Sequence, residues 1–140
     1  MVGSHGFNKG PVDPSNHDEC VEKLIQAIEL CSASGYKHVI TFSGLKVDGI
    51  DDEQAEANCI FCRKKVIPLA EKKKITICLE HLNSRDDNHP MKGHPRYFGD
   101  DVDHCVKMIN KIGSKSFKLL FDVLPCPRHE WSCDPRYQPV

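Results

Sequence analysis

Apolar residues recur along this chain in two alternating rhythms, helical spacing and short unbroken runs, and the alternation predicts the architecture. Val21, Leu24, Ile25, Ile28 and Cys31 repeat at helical spacing behind Ser15 or Asn16 as N-cap, with Asp18 and Glu19 favouring the first turn and Gly35 stopping the helix. His38-Val39-Ile40-Thr41-Phe42 is a β-branched and apolar run closed by Ser43-Gly44, which predicts a strand. Asp51 to Lys74 predicts a second helix with Ala55, Cys59, Cys62, Val66, Leu69 and Ala70 on one broad face. Pro68 is expected to kink it, because proline lacks the amide that the helical ladder needs. A second strand follows over Ile75 to Leu79, ended by Glu80. The third helix is expected from Asp100 or Asp101 to Lys111, with Val102, Cys105, Val106 and Ile109 inward and Gly113 beyond its end. Phe117 to Phe121 is the third strand, ended by Asp122.

Two segments carry no such rhythm. Met1 to Pro14 is rich in Gly and Pro and is expected to be loop. The span from His81 to Phe98 is polar and long, and a loop of that length inside a compact domain is more often functional than accidental. The order helix, strand, helix, strand, helix, strand, with strands of the fully buried type, signals βαβ units and a parallel sheet of the α/β class.

Charge narrows the function. Lys and Arg total 19 against 20 Asp and Glu, a formal net charge of −1 with the signs interspersed. A nucleic-acid binder needs a basic face, so no nucleic-acid partner is expected. The one basic run, Arg63-Lys64-Lys65 and then Lys72-Lys73-Lys74, is expected to be a solvated helix face. No apolar stretch approaches the ~20 residues of a membrane span. Met1 to Asp18 lacks the basic and apolar regions of a leader, so no membrane is expected and the compartment expected is the cytoplasm. In that compartment the 8 cysteines are not a disulfide framework. Cys20, Cys31, Cys78 and Cys105 sit among apolar residues and are expected to pack as small hydrophobes.

The chemistry concentrates at the strand ends. An apolar run ends in a carboxylate twice, as Ile-Thr-Ile-Cys-Leu-Glu80 and as Phe-Lys-Leu-Leu-Phe-Asp122, placing both acids at the carboxyl edge where α/β sites are built. Neighbouring strands lie ~4.8 Å apart, so two ionised carboxylates there need a cation, a shared proton or a neighbouring base. Oxygen ligands suit Mg²⁺ or Mn²⁺, although two ligands are too few for a tight site. Cys59-x-x-Cys62 has zinc or redox spacing but falls inside a helix and has no matching pair, which favours packing. Cys126, His129 and Cys133 have zinc-like spacing in the tail without an evident fourth ligand. No phosphate-binding Gly-rich loop and no serine nucleophile elbow is present.

Gly3-Ser4-His5-Gly6, Val39-Ile40-Thr41-Phe42-Ser43-Gly44, Cys78-Leu79-Glu80-His81-Leu82-Asn83-Ser84, and Gly113-Ser114 leading to Lys118-Leu119-Leu120-Phe121-Asp122 resemble the hydroxypyruvate isomerases of the xylose-isomerase-like barrel superfamily. The resemblance runs from about residue 2 to 124 and implies a partial (β/α)₈ TIM barrel of about three parallel strands with flanking helices. These would be roughly the fourth to sixth of eight strands. Residues 125–140 are expected to be a divergent, irregular tail. In such relatives Glu80 would be a metal ligand and one of two acid/base glutamates, Asp122 a second ligand, and Asn83, Arg85 and the loop through His94 a substrate-closing region. The implied cofactor is a divalent metal, Mg²⁺ or Mn²⁺, bound weakly or not at all by this chain alone. The implied reaction is metal-assisted isomerisation of hydroxypyruvate to tartronate semialdehyde through an enediolate.

The departures bear on activity. Relatives usually carry a His three residues after the aspartate, and this chain has Pro125. The second catalytic Glu and a later His ligand have no counterpart here, so the chain is expected to be catalytically incomplete by itself. Two further readings stay open: a non-catalytic barrel fragment or interaction module, and a relative of ketose 3-epimerases or other sugar phosphate isomerases. The expected partner is a small hydroxy-keto acid or sugar. Exposed sheet edges also favour association with another copy.

Overall fold

Local signals start and stop most elements where the sequence places them. A computed structural model of the chain describes residues 2–84 and 93–121. The first long helix, α1 (His17–Ala33), carries Asp18 and Glu19 in its first turn and is preceded by a 3₁₀ turn over Pro14–Asn16. Glu19 and Lys23, one helical turn apart, pair at 2.6 Å on its exposed face. The chain leaves α1 through Gly35 at φ 76°, and the Tyr36 amide donates to the Cys31 carbonyl at 2.9 Å.

The second helical segment departs from expectation. It is two helices, α2 (Asp52–Lys64) and α3 (Ile67–Lys73), because Pro68 falls in the first turn of a new helix, where its missing amide costs nothing. Asp51 caps α2 by accepting from the Gln54 amide at 2.8 Å. In α4 (Val102–Ile112), Asp101 caps in the same way, accepting from His104 at 2.7 Å, and Gly113 ends the helix at φ 73°. Its inward face is Cys105, Met108 and Ile112, with Ile109 partly buried, while Val106 is exposed. The expected inward placement of Val106 is thereby corrected: the stripe that meets the sheet follows the i, i+3, i+7 positions from Cys105.

Among the described residues the strands are β1 (Val2–Gly3), β2 (His38–Thr41), β3 (Thr76–His81) and β4 (Phe117–Phe121), all parallel and ordered β1-β2-β3-β4. β2, β3 and β4 are the three expected strands, with Glu80 and His81 inside β3 rather than past its end. β1 lies in the stretch expected to be loop; two residues are too few to show any alternation. It pairs Val2 with Val39 and Gly3 with Ile40, and the Ser4 amide extends the ladder to the Ile40 carbonyl at 3.1 Å.

Consecutive parallel strands joined through helices obey a single handedness, so sequential order puts all the helices on one face. The packing agrees. α1 contacts α2 and α3, α2 contacts α4, and this layer covers Val39, Ile77 and Phe117, aligned across β2, β3 and β4 and all fully buried. Helices on one face of a sequentially ordered parallel sheet make a barrel wall, not a doubly wound sheet. Gly10 allows the loop after β1 to close on the loop after β2: a Cβ there would lie 2.2 Å from the Ser43 carbonyl oxygen. No described helix is long and apolar enough to cross a membrane. The expected tail over 125–140, with Cys126, His129 and Cys133, lies outside the described residues.

Candidate functional site at the carboxyl edge

Strand alternation aims Glu80. Leu79 joins the helix-side core, so Glu80 faces the opposite, helix-free side, in register with Leu120 and one step beyond the Cys78 and Lys118 pair. Its backbone is held from the loop that follows. Tyr97, fully buried, donates its hydroxyl hydrogen to the Glu80 carbonyl oxygen at 2.8 Å and accepts from the Ser43 amide at 3.0 Å. One phenol therefore ties the ends of β2 and β3, and burial pushes its own pKa up.

The same loop is stitched on both sides. The Phe98 amide donates to the Gly44 carbonyl at 2.9 Å, Lys46 to Arg96 at 2.8 Å, and Leu45 bridges Tyr97. On the β3 side the His94 amide donates to the Asn83 carbonyl at 2.7 Å, and His81 Nε2 meets the Asp100 carbonyl oxygen at 2.9 Å. Ser84 donates its hydroxyl hydrogen to the Asp100 carboxylate.

These bonds bring three of the expected site residues, Glu80, Asn83 and His94, to one edge. Asn83 is buried. The His94 ring stands edge-on to Phe7 at 4.2 Å between centroids, and burial lowers its pKa. An open cleft of about 330 Å³ is lined by Phe7, Asn8, Leu45, Gly93, His94 and Pro95. It is built from the loops after β1, β2 and β3, so it opens at the carboxyl edge. Arg85 and Asp122 lie outside the described residues.

A second cluster was not foreseen. His5, just after β1, places Nε2 at 3.1 Å from Thr41 Oγ1 and 3.4 Å from Arg63 Nη2. Arg63 also donates to the Phe42 carbonyl. At 1% exposure Arg63 is no solvated-face residue, which corrects the reading of the basic run; Lys64 and Lys65 do remain exposed. Among the described residues no carboxylate pairs with it, and Nη1 has no hydrogen-bond partner. Burial and the adjacent guanidinium bring the His5 pKa down to about 4, so the ring is neutral at physiological pH. The sequence signal was slight: one Arg four residues after Cys59, on the buried side of α2.

The thiols are packing groups. Cys20, Cys31, Cys59, Cys62, Cys78 and Cys105 are free and buried, and burial pushes the Cys59 thiol up to about 12. Cys59 and Cys62 turn their sulfurs to the Ser43 and His17 carbonyls, and no disulfide joins them. Among the described residues no three His, Cys, Asp or Glu side chains converge as a metal site would need. Glu80 fits a divalent ion as a single hard oxygen donor; the described residues do not complete a coordination shell.

A parallel barrel wall with an acid at the carboxyl end of a strand is where (β/α)₈ barrels build their sites. The model of the xylose isomerase-like TIM barrel family matches residues 1–126, and the chain belongs to that family. Among solved structures it is similar to the IolI protein with a bound zinc atom, with a TM-score of 0.67 and 18% identity over 85% of this chain and 38% of that one. It is also similar to a D-tagatose 3-epimerase-like protein, with a TM-score of 0.71 and 18% identity over 87% of this chain and 44% of that one. A D-psicose 3-epimerase from Clostridium cellulolyticum H10 crystallised with D-tagatose gives 0.67 and 15% identity over 87% and 42%. The chain thus spans less than half the length of these structures. No curated protein sequence matches it.

Proposed function

We propose that the chain forms part of the active-site wall of a metal-assisted isomerase acting on a small hydroxy-keto acid or sugar, with hydroxypyruvate, converted to tartronate semialdehyde, as the substrate. The observation that carries this reading is the placement of Glu80, an acid at the carboxyl end of a central parallel strand, on the helix-free face, with its backbone fixed by Tyr97. Glu80 and Asp122 would hold a divalent ion, which supplies charge stabilisation to an oxyanion developing on the substrate. Glu80 would also remove or return a proton at the carbon next to the carbonyl, as a general acid/base at the carboxyl edge. Asn83, Arg85 and His94 would bind substrate, with Phe7 and Leu45 limiting its size.

A second reading, epimerisation of a ketose at C3, draws support from the 3-epimerases among the fold's solved relatives and uses the same carboxylate. Hydroxypyruvate and a set of ketohexoses, incubated with the purified chain, Mn²⁺ or Mg²⁺, and its Glu80→Gln variant, decide between them. Isomerisation of hydroxypyruvate that falls at least ~100-fold in the variant supports the first reading, in line with the loss of a general acid/base. Glu80-dependent epimerisation without isomerisation supports the second. Turnover indifferent to Glu80 overturns both; a folded sample without turnover agrees with a chain that lacks the second acid/base glutamate and supplies only part of the wall.

A further inference from the structure

Lysines that lie far apart in the sequence gather at the amino edge of the sheet, opposite the cleft. Each helix that leads into β2, β3 or β4 ends there in a left-handed residue: Gly35 after α1 at φ 76°, Lys74 after α3 at φ 56° and Gly113 after α4 at φ 73°. A lysine follows or occupies each turn, as Lys37, Lys74 and Lys115, and Lys72 stands one position before the end of α3. Parallel pairing sets the three turns side by side: the Thr76 amide donates to the Lys37 carbonyl and the Ile77 amide to the Ser116 carbonyl, both at 2.8 Å. All four lysines are exposed. Among the described residues none of them is in an ion pair, while two acids of the same helices are engaged elsewhere. Glu29 pairs with Lys73 at 2.7 Å, and Glu71 accepts from the Ser114 hydroxyl at 2.6 Å.

Helix ends account for part of this. A lysine in the last turn answers the negative end of the helix dipole, which covers Lys72 and Lys73. Lys37 and Lys115 lie beyond the last turns of α1 and α4, where that attraction has faded. Lys74 is the informative one. Its backbone is left-handed, a conformation that costs an L side chain energy and glycine none, and the two equivalent turns do take glycine. A side chain kept at such a position points to a use for it outside the fold.

We propose that the amino edge docks an acidic segment of a partner protein, with Lys37, Lys74 and Lys115 as the contact row and Lys72 on its flank. The row follows the sheet, with turns ~4.8 Å apart, and an extended peptide presents every second side chain on one face at about 7 Å. Long lysine stems take up the difference. The row holds no arginine, the side chain best shaped to grip phosphates. Among the described exposed aromatics only Tyr36 belongs to these turns, whereas a single nucleic-acid strand stacks its bases on a series of rings. Point charges in a line suit carboxylates along a chain. The proposal does not depend on the catalytic reading of Glu80, which lies at the other edge.

Fluorescence anisotropy with the purified 140-residue chain tests it, the probe being a labelled peptide of alternating glutamate and serine at about 0.15 M salt, where surface charges are already screened. Saturable binding is expected, weakened about tenfold or more when Lys37→Ser and Lys115→Ser are combined, as for the loss of several exposed charge contacts. Lys74→Gly should weaken binding about threefold and yet raise the thermal midpoint, because glycine relieves the backbone. A lysine kept only for the fold predicts the reverse on both counts. Lys46→Ser, in the loop after β2 at the opposite edge, should leave binding unchanged. Absence of saturable binding, or equal binding by the lysine variants, overturns the proposal. Tighter binding of an oligothymidylate, or of phosphatidylserine vesicles, than of the peptide overturns it as well, because the partner would then be a nucleic acid or a membrane surface. If the combined variant does not fold, Lys37→Ser and Lys115→Ser tested singly decide by the same criterion.

Discussion

His5 Nε2 stands 3.4 Å from Arg63 Nη2, with both side chains buried under the loops that leave β1 and β2. The guanidinium is permanently charged, so the imidazole beside it resists a proton. Burial is the larger cause of the lowered pKa and Arg63 the next, while Lys23 acts in the same direction. The folded-state pKa of about 4 lies below the ordinary 6.5. The unfolded chain therefore binds a proton at His5 before the folded chain does, and stability falls as pH drops from 6.5 toward about 4, then levels off for this group. The full shift corresponds to roughly 3 kcal/mol. Urea midpoints followed through that window should fall in the unmodified chain. In His5→Gln the His5 share of the slope should vanish; an unchanged slope would show that His5 is not the titrating group.

Gly10 is a contact requirement. A Cβ at that position would meet the Ser43 carbonyl oxygen at 2.2 Å and the Gly44 Cα at 2.3 Å, and both are backbone atoms. Neither can swing aside as a side chain would. Gly10→Ala should lower stability by about 1–3 kcal/mol, the range for overpacking a tight site. It should also disturb the cleft walls at Phe7 and Leu45, which the two loops carry. Thermal unfolding that matches the unmodified chain would mean the loops can part without cost.

The alternation of helix and strand was legible because strands buried on one side by helices and on the other by a barrel interior read as unbroken apolar runs. Glu80 was legible for the same reason, as the acid that ends such a run. β1 was hidden by its length. The α2/α3 break was misread as a kink because a proline signals only that the ladder is interrupted, and the first turn of a new helix accommodates it. Arg63 was misassigned because its neighbours Lys64 and Lys65 are exposed and a run of cations looks alike whichever side it faces. Tyr97 escaped notice altogether, since its role is a pair of long-range hydrogen bonds to backbone atoms, which carry no sequence signature.

Tyr97 makes the sharpest test of how the site is held. Its hydroxyl is the acceptor for the Ser43 amide and the donor to the Glu80 carbonyl, at 3.0 and 2.8 Å, with no exposure to water. Tyr97→Phe keeps the ring and its packing and removes only the oxygen. The buried Ser43 amide then loses its partner, which costs about 1–3 kcal/mol when left unsatisfied, and the part-buried Glu80 carbonyl loses a bond at a smaller cost. The ring volume is unchanged, so the loss should appear without a cavity, and the amides of Ser43 and of the β3 exit should exchange faster while the Val39, Ile77 and Phe117 layer stays protected. That pattern separates a tie across strand ends from general loosening of the core. Stability and exchange equal to those of the unmodified chain would mean that β2 and β3 hold Glu80 in place through their own ladder, and that the phenol oxygen contributes nothing to it.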